Sequence, residues 1–425
     1  MLTILCSFSS VMNTIGRVLL AFVILMIMVL IHETGHYTAG KLLKFKINEF
    51  AVGMGPKILS KTKKNGEVVS LRLLPLGGFC AFEGENDDNP SPETFNAQKP
   101  WKRLIVLVSG ALFNFISAIL ICVILFSAYG ETVAVINKVY DYAPAQNQLL
   151  EAGDIIYKIN GKKVFVLDDL SRYMDDEMSV TVLKPNGEEV TYHGLTRDSY
   201  YSVNVKSVDG SFVCNDRALS VGDFIYKIDG KSISQKGDFS KYVAEGGDTL
   251  AVTVSVGQEE YVYNISKSAL ESKISVSESP FKGIGMAVSY QNYNFSKNKG
   301  FGVALGRVFP YCGEVAMLVL RTLGGLITGV VGLDTIGGPI STIAVASEVV
   351  SYGFPSVLAL FVLISVNLAV FNLLPVPALD GCRMIFVLIE WIAGKPINRK
   401  VENWINTIGL VLLLVFVILI DLLKL

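Results

Sequence analysis

His32, Glu33 and His36 close an uncharged apolar run, Val18 to Ile31, in the pattern H-E-x-x-H. Residues four apart share a helix face, so both imidazoles can reach one metal ion while Glu33 stands beside it, the arrangement of zinc hydrolases. The setting constrains the fold further. An ionisable side chain at membrane depth costs roughly 2.5–3.5 kcal/mol on insertion scales, and three stand here within five residues. A bound dication would compensate them; the alternative is a helix end with its polar residues among lipid headgroups. Arg17 ahead of the run imitates the start of a secretory leader, but no A-x-A-like site follows, and cleavage there would detach the motif.

Hydrophobic residues make up 51% of the 425 positions and mean hydropathy is positive, which marks an integral membrane protein. With 37 basic and 38 acidic residues and no basic stripe, nothing predicts a nucleic-acid partner. The six cysteines, at 6, 80, 122, 214, 312 and 382, show no C-x-x-C spacing. Histidine occurs only as His32, His36 and His193. A three-histidine metal site would need His193 from a distant polar region, so a carboxylate is the expected third ligand.

The fold class expected is an α-helical polytopic membrane protein with about four transmembrane helices, a membrane-associated β-hairpin or sheet, and two tandem extracytoplasmic PDZ-like α+β domains. The first span, with the H-E-x-x-H motif, falls in 1–40 and the second, uncharged from Leu104 to Gly130 with Asn114 as its conspicuous interior polar residue, in 104–130. The loop between them, 41–103, carries eleven basic residues, and Lys46 to Phe82 alternates around Lys63, Lys64, Asn65 and Gly66 as a hairpin does. A third span falls in 349–381 and a fourth in 403–425. In 281–348, Arg307, Glu314 and Arg321 recur every seven residues. That spacing predicts an amphipathic helix on the membrane surface, with a two-crossing hairpin as the alternative. The basic loops 41–103 and 382–402 are expected on the cytoplasmic side.

Between Glu131 and Pro280 the chain is soluble in character and repeats itself: GDIIYKINGK from Gly153 returns as GDFIYKIDGK from Gly222. Each copy is followed by a short helix candidate and a hairpin, and the G-D-x-I-x-x-I-x-G pattern resembles PDZ domains at 131–198 and 199–280. Such domains bind peptides at a sheet edge; two β-modules that only shield the site are the alternative.

Asp380 is a carboxylate at the membrane depth of His32. It is the next-to-last residue of NLLPVPALDG, in which Pro375 and Pro377 must break a helix and free backbone groups. Asp380 as a plain helix cap, Asp334 as a rival ligand and Cys382 as an alternative ligand stay open.

HETGHYTAGKL at His32–Leu42, LPLGGF at Leu74–Phe79, SGALFNF at Ser109–Phe115, the repeated soluble pair and NLAVFNLLPVPALDG at Asn367–Gly381 occur in this order over nearly the whole chain. In this the sequence resembles the site-2 protease family of intramembrane zinc metalloproteases (peptidase family M50), in its bacterial regulator of sigma E protease branch. Family members often have Leu at the position of Thr34, Pro at that of Ala111 and Gly at that of Cys382; none of these departures removes a ligand. The resemblance implies Zn2+ held by His32, His36 and Asp380, with Glu33 as general base. It also implies that Asn372 and Asn367 handle substrate, where interhelical hydrogen bonding is the plainer role.

The expected activity is an intramembrane zinc endopeptidase that cleaves transmembrane segments of single-span membrane proteins, such as anti-sigma factors already trimmed by a site-1 protease. The expected location is a bacterial inner membrane, with the active site toward the cytoplasm and the PDZ-like pair outside. The competing reading is a non-catalytic PDZ-bearing membrane scaffold with a structural metal site.

Overall fold

The computed structural model describes residues 2–85, 94–332, 337 and 339–423. It divides into two units: Met1–Tyr129 with Gly300–Leu425, and Gly130–Lys299.

The first unit is helical. Among the described residues five stretches are long and apolar enough to cross a membrane: Val18–Leu42, Pro100–Tyr129, Phe301–Thr328, Phe354–Leu373 and Arg399–Ile420. Four were expected from sequence, and Phe301–Thr328 is the addition. Its charges do not form the solvent-facing stripe that their spacing predicts: Arg307 is 2% exposed, and Arg321 pairs with Glu314 at 3.4 Å. Buried or paired charges do not require a polar surface beside the helix.

Small residues set how closely these helices approach. A Cβ on Gly35 would stand 2.3 Å from the carbonyl oxygen of Ser109, so only glycine lets the helix Leu2–Leu42 lie this near the helix Pro100–Ile124. The latter begins with Pro100 in its first turn, where a missing N–H costs nothing. It also packs against Phe354–Leu373 and Asp380–Ala393. At its basic N-terminal end, Arg103 donates to Glu390 at 2.6 Å; Glu390 also accepts from Arg399 at 2.6 Å, and Arg399 from its other nitrogen donates to Glu402 at 2.5 Å.

The hairpin expected between the first two helices is present, with Ile47–Thr62 antiparallel to Val68–Phe82 and Gly66 in the left-handed region at its turn. Beside that turn Glu67 is buried. Burial alone would raise its carboxyl, but hydrogen bonds from Lys41 and Lys63 outweigh it and hold the value down at about 2. Lys41 belongs to the helix Leu2–Leu42, so this cluster fastens the hairpin to the helix carrying His32.

The second unit holds two sheets of the same plan. In one, the order is Met286–Tyr293, Glu131–Val139, Ile155–Ile159, Glu177–Leu183, Glu189–Thr196. In the other it is Ile274–Gly283, Asp198–Val208, Phe224–Ile228, Thr249–Val256, Glu259–Ser266. The repeated decapeptide forms the central strand of each. Its Asn160-Gly161 and Asp229-Gly230 pairs all have positive φ, the two-residue hairpin turn that matches strand twist. Each sheet has one short helix between its central strand and its hairpin, Leu167–Tyr173 and Asp238–Glu245.

The modules are nonetheless not consecutive as the boundaries 131–198 and 199–280 imply. Met286–Tyr293, expected within the membrane-surface region 281–348, pairs along Glu131–Val139 from Met286 opposite Val139 to Tyr293 opposite Glu131. The second module is therefore inserted into the first. The physical reason is edge completion: the strand supplies backbone partners to Glu131–Val139 and brings Met286 and Val288 onto the core around Ile136 and Ile284.

Candidate active site

The helix Leu2–Leu42 presents His32 and His36 on one face, as their spacing requires, with ring centroids 4.7 Å apart and nearly perpendicular planes. Asp380 reaches them from the other end of the chain. The helix Phe354–Leu373 stops before Pro375, whose ring cannot continue it. The next four residues form an irregular bridge in which Ala378 has φ 75°, and the Ala378 N–H that the break frees donates to Asn406 Oδ1 at 3.2 Å. Asp380 is the first residue of the following helix, Asp380–Ala393; Leu379 is its N-cap, with no side-chain capping bond. The Asp380 carboxylate faces the histidines, and a plain capping role does not describe it.

Three donor atoms converge. His32 Nε2 lies 3.0 Å from Asp380 Oδ2, His36 Nε2 lies 3.2 Å from the same oxygen, and the two Nε2 atoms are 3.1 Å apart. Zinc bound at about 2.0–2.2 Å by tetrahedral ligands separates neighbouring donors by roughly 3.3–3.6 Å, so a small outward shift of each side chain fits the ion. Three protein donors leave a fourth position open, as in catalytic zinc sites. His36 Nδ1 lies 2.8 Å from the carbonyl oxygen of Val106. A carbonyl only accepts, so the proton sits on Nδ1 and the Nε2 lone pair is free for a metal.

These groups line a cavity of about 350 Å³ with Glu33, Glu85, Asn114, Asn372 and Arg383 as its other polar residues and Phe79, Phe82, Phe95 and Leu107 among its apolar ones. Glu33 is half-buried there, its Cγ 3.4 Å from where a Cβ on Gly78 would stand. Gly78 thus lets the hairpin strand Val68–Phe82 lie against the glutamate. Asn372 lines the cavity and donates to the carbonyl of Leu368 at 2.9 Å; Asn367, half-buried on the same helix, is not among the lining residues. Among the described residues Cys382 is buried but outside the converging donor set. His193 belongs to the other unit, and Asp334 lies outside the described residues.

Sequence reasoning did not assign Gly110, Asn114 and Arg383 to the site. Gly110 packs under both imidazoles and Asn114 lies beside His32. An asparagine in an otherwise uncharged span was the available signal for Asn114; Gly110 had none beyond its spacing of four from it.

Residues 20–416 match the sequence description of peptidase family M50. A protein of Vibrio cholerae with the provisional name zinc metalloprotease is 29% identical, over 92% of this chain and 94% of that one. The regulator of sigma E protease of Haemophilus influenzae is 26% identical over 97% of this chain and 99% of its own length. A Fusobacterium nucleatum protein, also provisionally named a zinc metalloprotease, is 27% identical over 95% and 96%.

Proposed function

The chain belongs to peptidase family M50 and is a membrane-embedded zinc metalloendopeptidase with Zn2+ as its cofactor, and from that premise we propose that His32, His36 and Asp380 hold the zinc and Glu33 is the general base. The observation that carries this reading is the approach of three donor atoms, from two helices and opposite ends of the sequence, at the edge of an apolar span. Bound there, zinc would supply a Lewis acid toward the scissile carbonyl and acidify a water. Glu33 takes the proton of the attacking water and delivers it to the leaving amine, a role suited to a half-buried carboxylate in a cavity with apolar walls. Asn372 lines that cavity on the side of the proline break and is read as a substrate contact; Asn367 is read as support for the same helix.

The substrates proposed are single-span membrane proteins whose outer portion has been trimmed by a first protease, including anti-sigma factors. The printed name of the Haemophilus influenzae relative supports this. The eleven basic residues of 41–103 support a cytoplasmic face for the hairpin and the site in a bacterial inner membrane, with Phe301–Thr328 and Pro339–Ser351 together making no net crossing. The two sheet modules are read as PDZ-like from their repeated strand, turn and helix, and as an extracytoplasmic filter or peptide-binding pair.

Purified protein incubated with a single-span substrate tests this. Cleavage should stop with a zinc chelator and return with zinc, and Glu33→Gln should keep zinc while losing cleavage. Zinc retention without cleavage by the unaltered protein, on every trimmed single-span substrate, would favour the scaffold reading.

A further inference from the structure

The two histidines are held in different ways. His36 Nδ1 faces a backbone carbonyl, whereas His32 Nδ1 lies 3.4 Å from Nδ2 of Asn114, on the helix Pro100–Ile124. Asn114 has no exposed surface, and its Oδ1 is buried without a hydrogen-bond partner. A buried amide oxygen left unpaired is costly and calls for an explanation.

Proton placement supplies one. An amide N–H aimed at Nδ1 suits His32 only while the proton is on Nε2, where it can be donated to Asp380 Oδ2 at 3.0 Å. A metal on Nε2 requires the opposite tautomer, with the proton on Nδ1 and an acceptor to receive it. Half a turn about the last side-chain bond exchanges the two ends of the Asn114 amide. It would bring the unpaired Oδ1 to the position of the donor. Asn114 is the side chain that stands at His32 Nδ1.

We propose that Asn114 is a positioning residue for His32: its amide turns when metal binds, accepts the Nδ1 proton and fixes the tautomer that ligates zinc. The inference rests on the reading of His32 as a ligand. A neutral acceptor does this without adding another charge to a span, which is why an amide suits the position.

The test compares the full-length protein with N114L, close in size but without an acceptor, N114D, an acceptor only, and H32A. Zinc affinity by chelator competition and the absorption spectrum of the cobalt-substituted protein are the readouts, with thermal unfolding as the control for folding. N114L should bind zinc about 10–100-fold more weakly with an altered cobalt spectrum, while N114D stays within about threefold of the unaltered protein. If N114L does not fold, N114A carries the same expectation. Unchanged affinity in the acceptor-free variant, or equal loss in N114D, overturns the role of Asn114 while loss in H32A leaves the ligand assignment standing. Full zinc affinity in H32A would instead remove the premise.

Discussion

Gly110 lies against the ring of His36 so closely that a Cβ on it would stand 2.4 Å from Nε2 and 2.7 Å from Cε1 of His32. The metal-competent face of the first helix is thus pressed onto bare backbone of the second. The geometry of the donors depends on an absent side chain as much as on the residues that carry chemistry.

Gly110→Ala should therefore push both imidazoles out of register. A displacement near 1 Å costs on the order of 100-fold in rate, so cleavage should fall by about that factor with zinc content reduced in parallel. Substrate cleavage kinetics and metal analysis of the purified variant check it. Wild-type rates would mean that the two helices separate without disturbing the site.

Asp380→Ala should weaken zinc binding beyond the 10–100-fold typical of outer-shell changes, because it removes one of three donors. Cys382→Ala should leave zinc in place. The reverse pattern, metal lost with Cys382 and kept without Asp380, would transfer the third ligand to the thiolate.

Local chemistry made much of this readable in advance. The spacing of His32 and His36 needs only a helix, the hairpin turn at Lys63, Lys64, Asn65 and Gly66 only those four residues, and the break before Asp380 only the two prolines. What escaped depends on partners far along the chain. Met286–Tyr293 pairs with Glu131–Val139, and no local pattern announces a strand whose partner lies across an inserted module. Arg307, Glu314 and Arg321 show the same limit: their seven-residue spacing is that of a polar face, and only packing reveals that Arg307 is enclosed and Arg321 paired.

The buried charges around Glu390 should be unequal in effect. Glu390→Ala strands Arg103 and leaves Arg399 only Glu402, and breaking a buried pair costs about 3–5 kcal/mol. Arg103→Met leaves Glu390 its partner Arg399 and should cost less. Thermal unfolding of the two variants in detergent orders them; equal midpoints would mean that the cluster is solvated.

Glu67 gives a pH dependence. Its carboxyl is held at about 2 in the folded chain, below the ordinary glutamate value. Its contribution is thus complete above the ordinary ionisation range, about pH 4.3, and is lost as pH falls through about 2. Glu67→Gln should abolish that acid-dependent loosening of the hairpin and loosen it at neutral pH. Hydrogen exchange over 47–82 reads both; exchange in the variant that still rises between pH 4 and 2 as in the unaltered chain would rule out Glu67 as the source.

The inserted arrangement of the soluble modules decides how the filter idea must be tested. Excising 131–280 removes the strand Glu131–Val139 but leaves Met286–Tyr293 as an unpaired edge, a template for aggregation that would confuse any assay. Excising Gly130–Lys299 removes the whole unit. If the unit excludes substrates with bulky outer portions, the second deletion should cleave trimmed and untrimmed single-span proteins at similar rates, while the full chain prefers the trimmed form. A deletion that still cleaves and keeps that preference would place discrimination in the membrane unit, with the cavity around Glu33 and Asn372 as the first place to look for it.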